Sequence, residues 1–123
     1  MPKRILVVDD SAKVRKALRR SLEDHAGFQV CGEAVDGLEA IEKVYELRPD
    51  LVVLDLVMPD MNGVEVASAL KGMMPDVPII LLTGYDDKVG KELASVVGAN
   101  IVLAKTEGMK KLIDSVEHLL EPA

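Results

Sequence analysis

Four short apolar runs constrain this chain most, because each ends in a polar residue of a particular kind. Ile5-Leu6-Val7-Val8 is followed by Asp9-Asp10, Leu51-Val52-Val53-Leu54 by Asp55, Ile79-Ile80-Leu81-Leu82 by Thr83, and Ile101-Val102-Leu103-Ala104 by Lys105. Continuous runs of leucine and β-branched residues this short read as strands with both faces buried, the pattern of a parallel sheet. Parallel strands would gather all five polar groups at the carboxyl edge of one sheet, where open α/β sheets bind ligands. The expected pocket holds three carboxylates, one hydroxyl and one ammonium.

Strand and helix patterns alternate along the chain, without an internal repeat, low-complexity stretch or linker. The first strand is expected over residues 4–9. Ser11 is placed to cap the next helix by accepting a free N–H of its first turn. Val14, Leu18 and Leu22 give that helix an apolar face. Its other face carries Lys13, Lys16, Arg19 and Arg20, either a solvated surface or a docking surface for a partner. Ala26-Gly27 breaks the helix. Residues 28–34 interpose Gln29 and Glu33, as suits an edge strand. Asp36-Gly37 signals a turn, and Leu38, Ile41 and Tyr45 mark a second helix that ends before Pro49.

The third strand is expected over 50–55. In the loop that follows, Pro59 and Asn62-Gly63 fix tight backbone geometry. Val64, Ala67 and Leu70 begin a third helix bounded by Gly72 and Pro75. After a fourth strand over 77–83, Gly84 supplies a joint and Asp86-Asp87 open a fourth helix at its positive dipole end. Val89, Leu93 and Val96 line that helix and Gly98 ends it. A fifth strand is expected over 100–105. Met109, Leu112, Ile113, Val116, Leu119 and Leu120 then trace a last amphipathic helix closed by Pro122. Five βα units with right-handed crossovers predict a doubly wound (βα)5 α/β fold with a parallel five-stranded sheet covered on both faces. The flavodoxin-like order 2-1-3-4-5, adopted from known sheets of this kind, sets the first and third strands side by side at the topological switch point.

At 123 residues the chain suits one domain spanning 1–123. No apolar run approaches the roughly 20 residues needed to span a bilayer. The first residues lead straight into a strand-like run too short for a signal segment, so the expected location is the cytoplasm. The lone cysteine, Cys31, sits between Val30 and Gly32 and reads as a buried strand thiol. A net charge of −6 and few aromatic residues argue against direct nucleic-acid binding.

Three acids crowded at one edge cannot all stay ionised without compensation. A hard divalent cation is the natural compensation, and Mg2+ favours carboxylate oxygens while keeping several waters. Lysine is a point charge suited to a phosphate oxygen, and a threonine hydroxyl can donate to another. Asp55, at the centre, is the candidate nucleophile, since carboxylates form aspartyl phosphates. Phosphoryl transfer needs in-line placement and charge neutralisation above all. Each of these residues alone has an ordinary structural explanation; five at the same end of four strands call for a joint one.

Along essentially its whole length the chain resembles the receiver domains of two-component response regulators. The resemblance is carried by Ile5-Leu6-Val7-Val8-Asp9-Asp10, Asp36-Gly37-x-Glu39-Ala40, Asp55-Leu56-Val57-Met58-Pro59-x-Met61-Asn62-Gly63, Thr83-Gly84, and Gly98-Ala99 leading to Lys105. It implies that Asp55 accepts a phosphoryl group from a phosphohistidine of a sensor histidine kinase or histidine phosphotransfer protein. It implies that Asp10, Asp55 and the backbone carbonyl of Val57 ligate Mg2+, with Asp9 acting through a water. Lys105 would bind the phosphoryl group and Thr83 would hydrogen-bond it. The signal would pass to the face formed by helix four, strand five and helix five, which is also a possible homodimer surface. Such a domain is a phosphoacceptor regulator rather than an enzyme in the usual sense.

Three positions depart from the common pattern. Val102 stands three residues before the lysine, where receivers often carry a rotating aromatic switch. Thr106 follows Lys105 in place of a frequent proline. Val57 and Tyr85 flank the pocket, where the family tunes phosphoryl lifetime, and Tyr85 is expected to slow hydrolysis. The run Val30-Cys31-Gly32-Glu33-Ala34 and Thr106 point to the receiver of a DNA-binding transcriptional regulator. The alternative is a stand-alone receiver acting by partner binding or phosphoryl shuttling. A nucleotide- or flavin-binding enzyme would need a glycine- or hydroxyl-rich phosphate loop after the first strand, where Asp9-Asp10 would repel phosphate. An aspartate-nucleophile phosphatase would need a second acid where Val57 stands.

Overall fold

The computed structural model describes residues 2–56, 63–83, 92 and 99–120. Five strands, β1 (Lys3–Val8), β2 (Phe28–Ala34), β3 (Leu51–Asp55), β4 (Ile79–Thr83) and β5 (Ile101–Ala104), form one parallel sheet in the order β2-β1-β3-β4-β5. Between them run helices α1 (Ala12–Glu23), α2 (Gly37–Leu47) and α3 (Gly63–Met73), and a last helix covers Met109–Leu120. The doubly wound order expected from the sequence is the one observed. The expected fourth helix, with Gly84, Tyr85 and Asp86-Asp87, lies outside the described residues.

Because side chains alternate across a strand, each central strand feeds two cores. Leu6, Val8, Val52, Leu54, Ile79 and Leu81 pack with Ala40 and Val44 of α2 and Val66, Ala67 and Leu70 of α3. Ile5, Val7, Leu51, Val53, Ile80 and Leu82 pack with Leu18 and Leu22 of α1 and Leu112 and Val116 of the last helix. Nearly all of these are fully buried. At about 1.5–3 kcal/mol for each large side chain fully removed from water, this two-sided burial is what holds the sheet.

Several expectations need correction. β1 stops at Val8; the Asp9 N–H still donates to the Ala34 carbonyl of β2, while its side chain already bonds the turn that follows. β2 is an edge strand as expected, but its pairing shifts register: Ile5 faces Val30 while Leu6 faces Gly32. Cys31 occupies that bulge and is half-buried rather than buried, and burial still raises its thiol pKa. Of the three residues expected to mark the inner face of α2, Ile41 packs against the core and the other two do not. Leu38 and Tyr45 are 62% and 67% exposed, whereas Gly37, Ala40 and Val44 face the sheet. α2 ends where Arg48 turns left-handed at φ 49°, with its guanidinium 5.5 Å above the Tyr45 ring. Among the described residues no helix is long and apolar enough to cross a membrane.

Candidate functional site

Register brings the polar residues together. Val8 pairs with Leu54, so the next residues, Asp9 and Asp55, stand side by side. Thr83 pairs with Ala104, so Lys105 emerges one residue beyond. Asp55 closes β3 opposite Leu82, and Leu56 N–H donates to the Leu82 carbonyl at 2.9 Å. Lys105 opens a short 3-10 turn, Lys105–Glu107, after β5. The Glu107 carboxylate accepts the Ala104 N–H at 2.8 Å and holds that turn.

Asp9 is fully buried, and Asp55 and Thr83 nearly so. One Asp9 oxygen, Oδ1, accepts the Ser11 N–H at 2.9 Å, a local side-chain-to-backbone turn. Ser11 in turn caps α1 by accepting the Val14 N–H, as expected from the sequence. The other Asp9 oxygen, Oδ2, meets the Lys105 ammonium at 3.1 Å as a charge contact without a well-directed hydrogen bond. Lys105 also approaches Asp55 Oδ1 at 3.4 Å. Burial alone would lower the Lys105 pKa; the Asp9 contact and the Asp55 charge outweigh it, so the group titrates above its ordinary value.

Asp9, Asp10 and Asp55 each present an oxygen within 4.8 Å of the others, Asp10 from an exposed position. Among the described residues, three carboxylates against one ammonium leave a formal surplus of two negative charges at this edge, which one divalent cation cancels. Oxygen donors alone, with one buried oxygen lacking a directed partner, fit a hard cation such as magnesium. The structure thus brings together Asp9, Asp10, Asp55 and Lys105, with Thr83 at the adjoining strand end. The expected Val57 carbonyl and Tyr85 lie outside the described residues. Val102 is half-buried against the core beneath α2 and α3.

Sequence reasoning missed the residues that hold the acidic loop. Arg15 donates to the Asp9 carbonyl at 2.7 Å and to Glu33 Oε1 at 3.0 Å. Arg19, on the face expected to be basic, is bound to Glu23 and Glu33. Those hydrogen bonds raise its pKa, and the exposed face keeps Lys13, Lys16 and Arg20. The spacing from Ser11 to Arg15 carried no signal that one basic residue of the helix would turn inward.

A family model described as the response regulator receiver domain matches residues 5–117. The response regulator protein VraR of Staphylococcus saprophyticus is 36% identical over 118 residues, covering 94% of this chain and 56% of that protein. The chain therefore spans little more than half the length of the curated relatives it matches. Among solved structures, a LuxR-family two-component response regulator from Aurantimonas sp. SI85-9A1 superposes with a TM-score of 0.93 at 30% identity, covering 98% of this chain and 86% of that one. The CheX-CheY-BeF3-Mg2+ complex from Borrelia burgdorferi superposes with a TM-score of 0.92 at 25% identity, covering 99% of this chain and 92% of that one.

Proposed function

The chain belongs to the response regulator receiver domain family, and from that premise we propose that it is a magnesium-dependent phosphoacceptor whose acceptor is Asp55. The observation that carries this reading is the sheet edge where the Asp9, Asp10 and Asp55 carboxylates converge and the Lys105 ammonium meets Asp9 and Asp55. A phosphohistidine of a sensor histidine kinase or histidine phosphotransfer protein is the donor. The histidine N–P bond breaks as an Asp55 oxygen forms the new O–P bond, and the imidazole leaves. Asp10 and Asp55, with the Val57 carbonyl and with Asp9 through a water, are the residues assigned to the cation. When bound, magnesium supplies charge neutralisation for the transferred group. A neighbour determined with BeF3 and magnesium supports a site that takes a metal together with an anion.

Lys105 has the more specific task. Its ammonium stands between Asp9 and Asp55, where a charge is ready for phosphoryl oxygens as they arrive. Thr83, at the end of β4, is assigned the hydrogen bond that reports their arrival. Phosphorylation adds roughly −1.5 to −2 charges and acts by biasing an element that already has two arrangements. We assign that role to the face of helix four, β5 and the last helix, with homodimerisation through it as one output. The LuxR-family neighbour and the partial coverage of VraR favour the receiver unit, residues 1–123, of a longer cytoplasmic DNA-binding regulator.

The test is intact mass after incubation with magnesium and acetyl phosphate. One added phosphoryl group is expected on the parent and none on Asp55→Asn or on a chelator-treated control. A phosphoryl group on Asp55→Asn overturns the assignment of the acceptor, and no addition to the parent overturns the phosphoacceptor reading.

A further inference from the structure

We propose that Arg15, braced by Glu33, positions the cation-binding carboxylate of Asp10. The inference rests on the receiver reading and deepens it. Among the described residues the exposed Asp10 carboxylate has no hydrogen bond or ion pair of its own, so its backbone decides where it stands. Asp9 is anchored by its N–H to the Ala34 carbonyl at 3.1 Å and by its Oδ1 to the Ser11 N–H. Neither contact fixes the peptide that joins Asp9 to Asp10. The Arg15 guanidinium does, donating through Nη1 to the Asp9 carbonyl at 2.7 Å. Because the peptide is planar, holding that oxygen orients the Asp10 nitrogen and sets the direction in which its side chain leaves.

Arg15 is itself held. Its Nε donates to Glu33 Oε1 at 3.0 Å, and its side chain is only 14% exposed. The second Glu33 oxygen is taken by Arg19 Nη1 at 2.7 Å. The fork of the guanidinium thus spans a β2 carboxylate and the acidic loop, which a lysine head cannot do. A plain staple between α1 and β2 would not require the contact to Asp9, since Arg19 and Glu33 already make one. Outer contacts that orient a metal ligand typically matter 10–100-fold to affinity.

The test is calorimetric titration of magnesium into the chelator-treated chain, with urea unfolding in EDTA as the measure of metal-free stability. Arg15→Gln should weaken magnesium binding by about tenfold. Loss of a nearby positive charge would by itself strengthen cation binding, so the sign of the change separates positioning from charge. Arg19→Gln removes a positive charge and one Glu33 contact but leaves the Asp9 carbonyl held, and should bind magnesium at least as tightly as the parent. Arg15→Lys keeps the charge without the fork; it should also bind more weakly and serves if Arg15→Gln does not fold. Arg15 variants that lose metal-free stability yet bind magnesium as the parent does overturn the brace in favour of a fold staple. A parent that binds no magnesium overturns the receiver-site reading and the brace with it.

Discussion

Gly63 shows how much a single residue settles at this site. A Cβ there would lie 2.5 Å from the Asp55 carbonyl oxygen and 2.5 Å from Leu56 Cα, both backbone atoms. Its N–H also donates to the Leu56 carbonyl. Gly63→Ala should therefore cost about 1–3 kcal/mol as overpacking and shift Asp55, slowing phosphoryl uptake. Urea unfolding and a mass time course with acetyl phosphate measure the two effects. Gly32→Ala is the contrast, since its Cβ would meet the end of the Leu47 side chain, which can rotate away. In the sequence Asn62-Gly63 signals only a turn; the approach to β3 is a through-space fact. The five polar residues were legible because each ends an apolar run, whereas Arg15 looks like one more basic residue of α1. Lys105 adds no pH dependence to stability near neutrality: its raised pKa makes its contribution complete below the ordinary lysine value and lost only as pH climbs through the folded one.

At the scale of elements, the sequence shows the strands plainly and the inner face of one helix only in part, for a common physical reason. A strand alternates between two cores, so a continuous apolar run needs no choice of face. A helix must choose, and the large apolar residues of α2 divide between the two sides, Ile41 against the core and Leu38 and Tyr45 outward. Small residues let a helix settle close to a sheet, and Gly37, Ala40 and Val44 do this while Leu38 and Tyr45 face outward. Val44→Ala should cost about 2 kcal/mol, the lost transfer of two methyl groups plus a cavity. Leu38→Ala, although it removes more atoms, should stay within about 0.5 kcal/mol as a surface change. Urea midpoints of the two variants give the ranking, and the reverse order would restore the face read from the sequence. The bulge at Cys31 was equally invisible, because register depends on the neighbouring strand.

For the molecule as a whole, the site concentrates a surplus that the composition already shows. The chain carries a net −6, and the described residues of the site contribute −2 of it at one edge of the sheet. Like charges held together by the fold oppose folding, and a cation that binds only the folded chain offsets them. Magnesium at 100 times its dissociation constant should raise unfolding stability by about 2.7 kcal/mol through linkage alone. Chelation should remove that increment. Asp10→Asn separates the two effects by sign. It deletes a ligand, so the response to magnesium should shrink or vanish. It also relieves repulsion without emptying a core, since Asp10 is exposed, so stability in EDTA should match or exceed that of the parent. Urea unfolding of both chains, with and without magnesium, reads all four values. A variant less stable than the parent in EDTA would mean that Asp10 serves the fold rather than the cation. A parent indifferent to magnesium would mean that Lys105 alone balances the site.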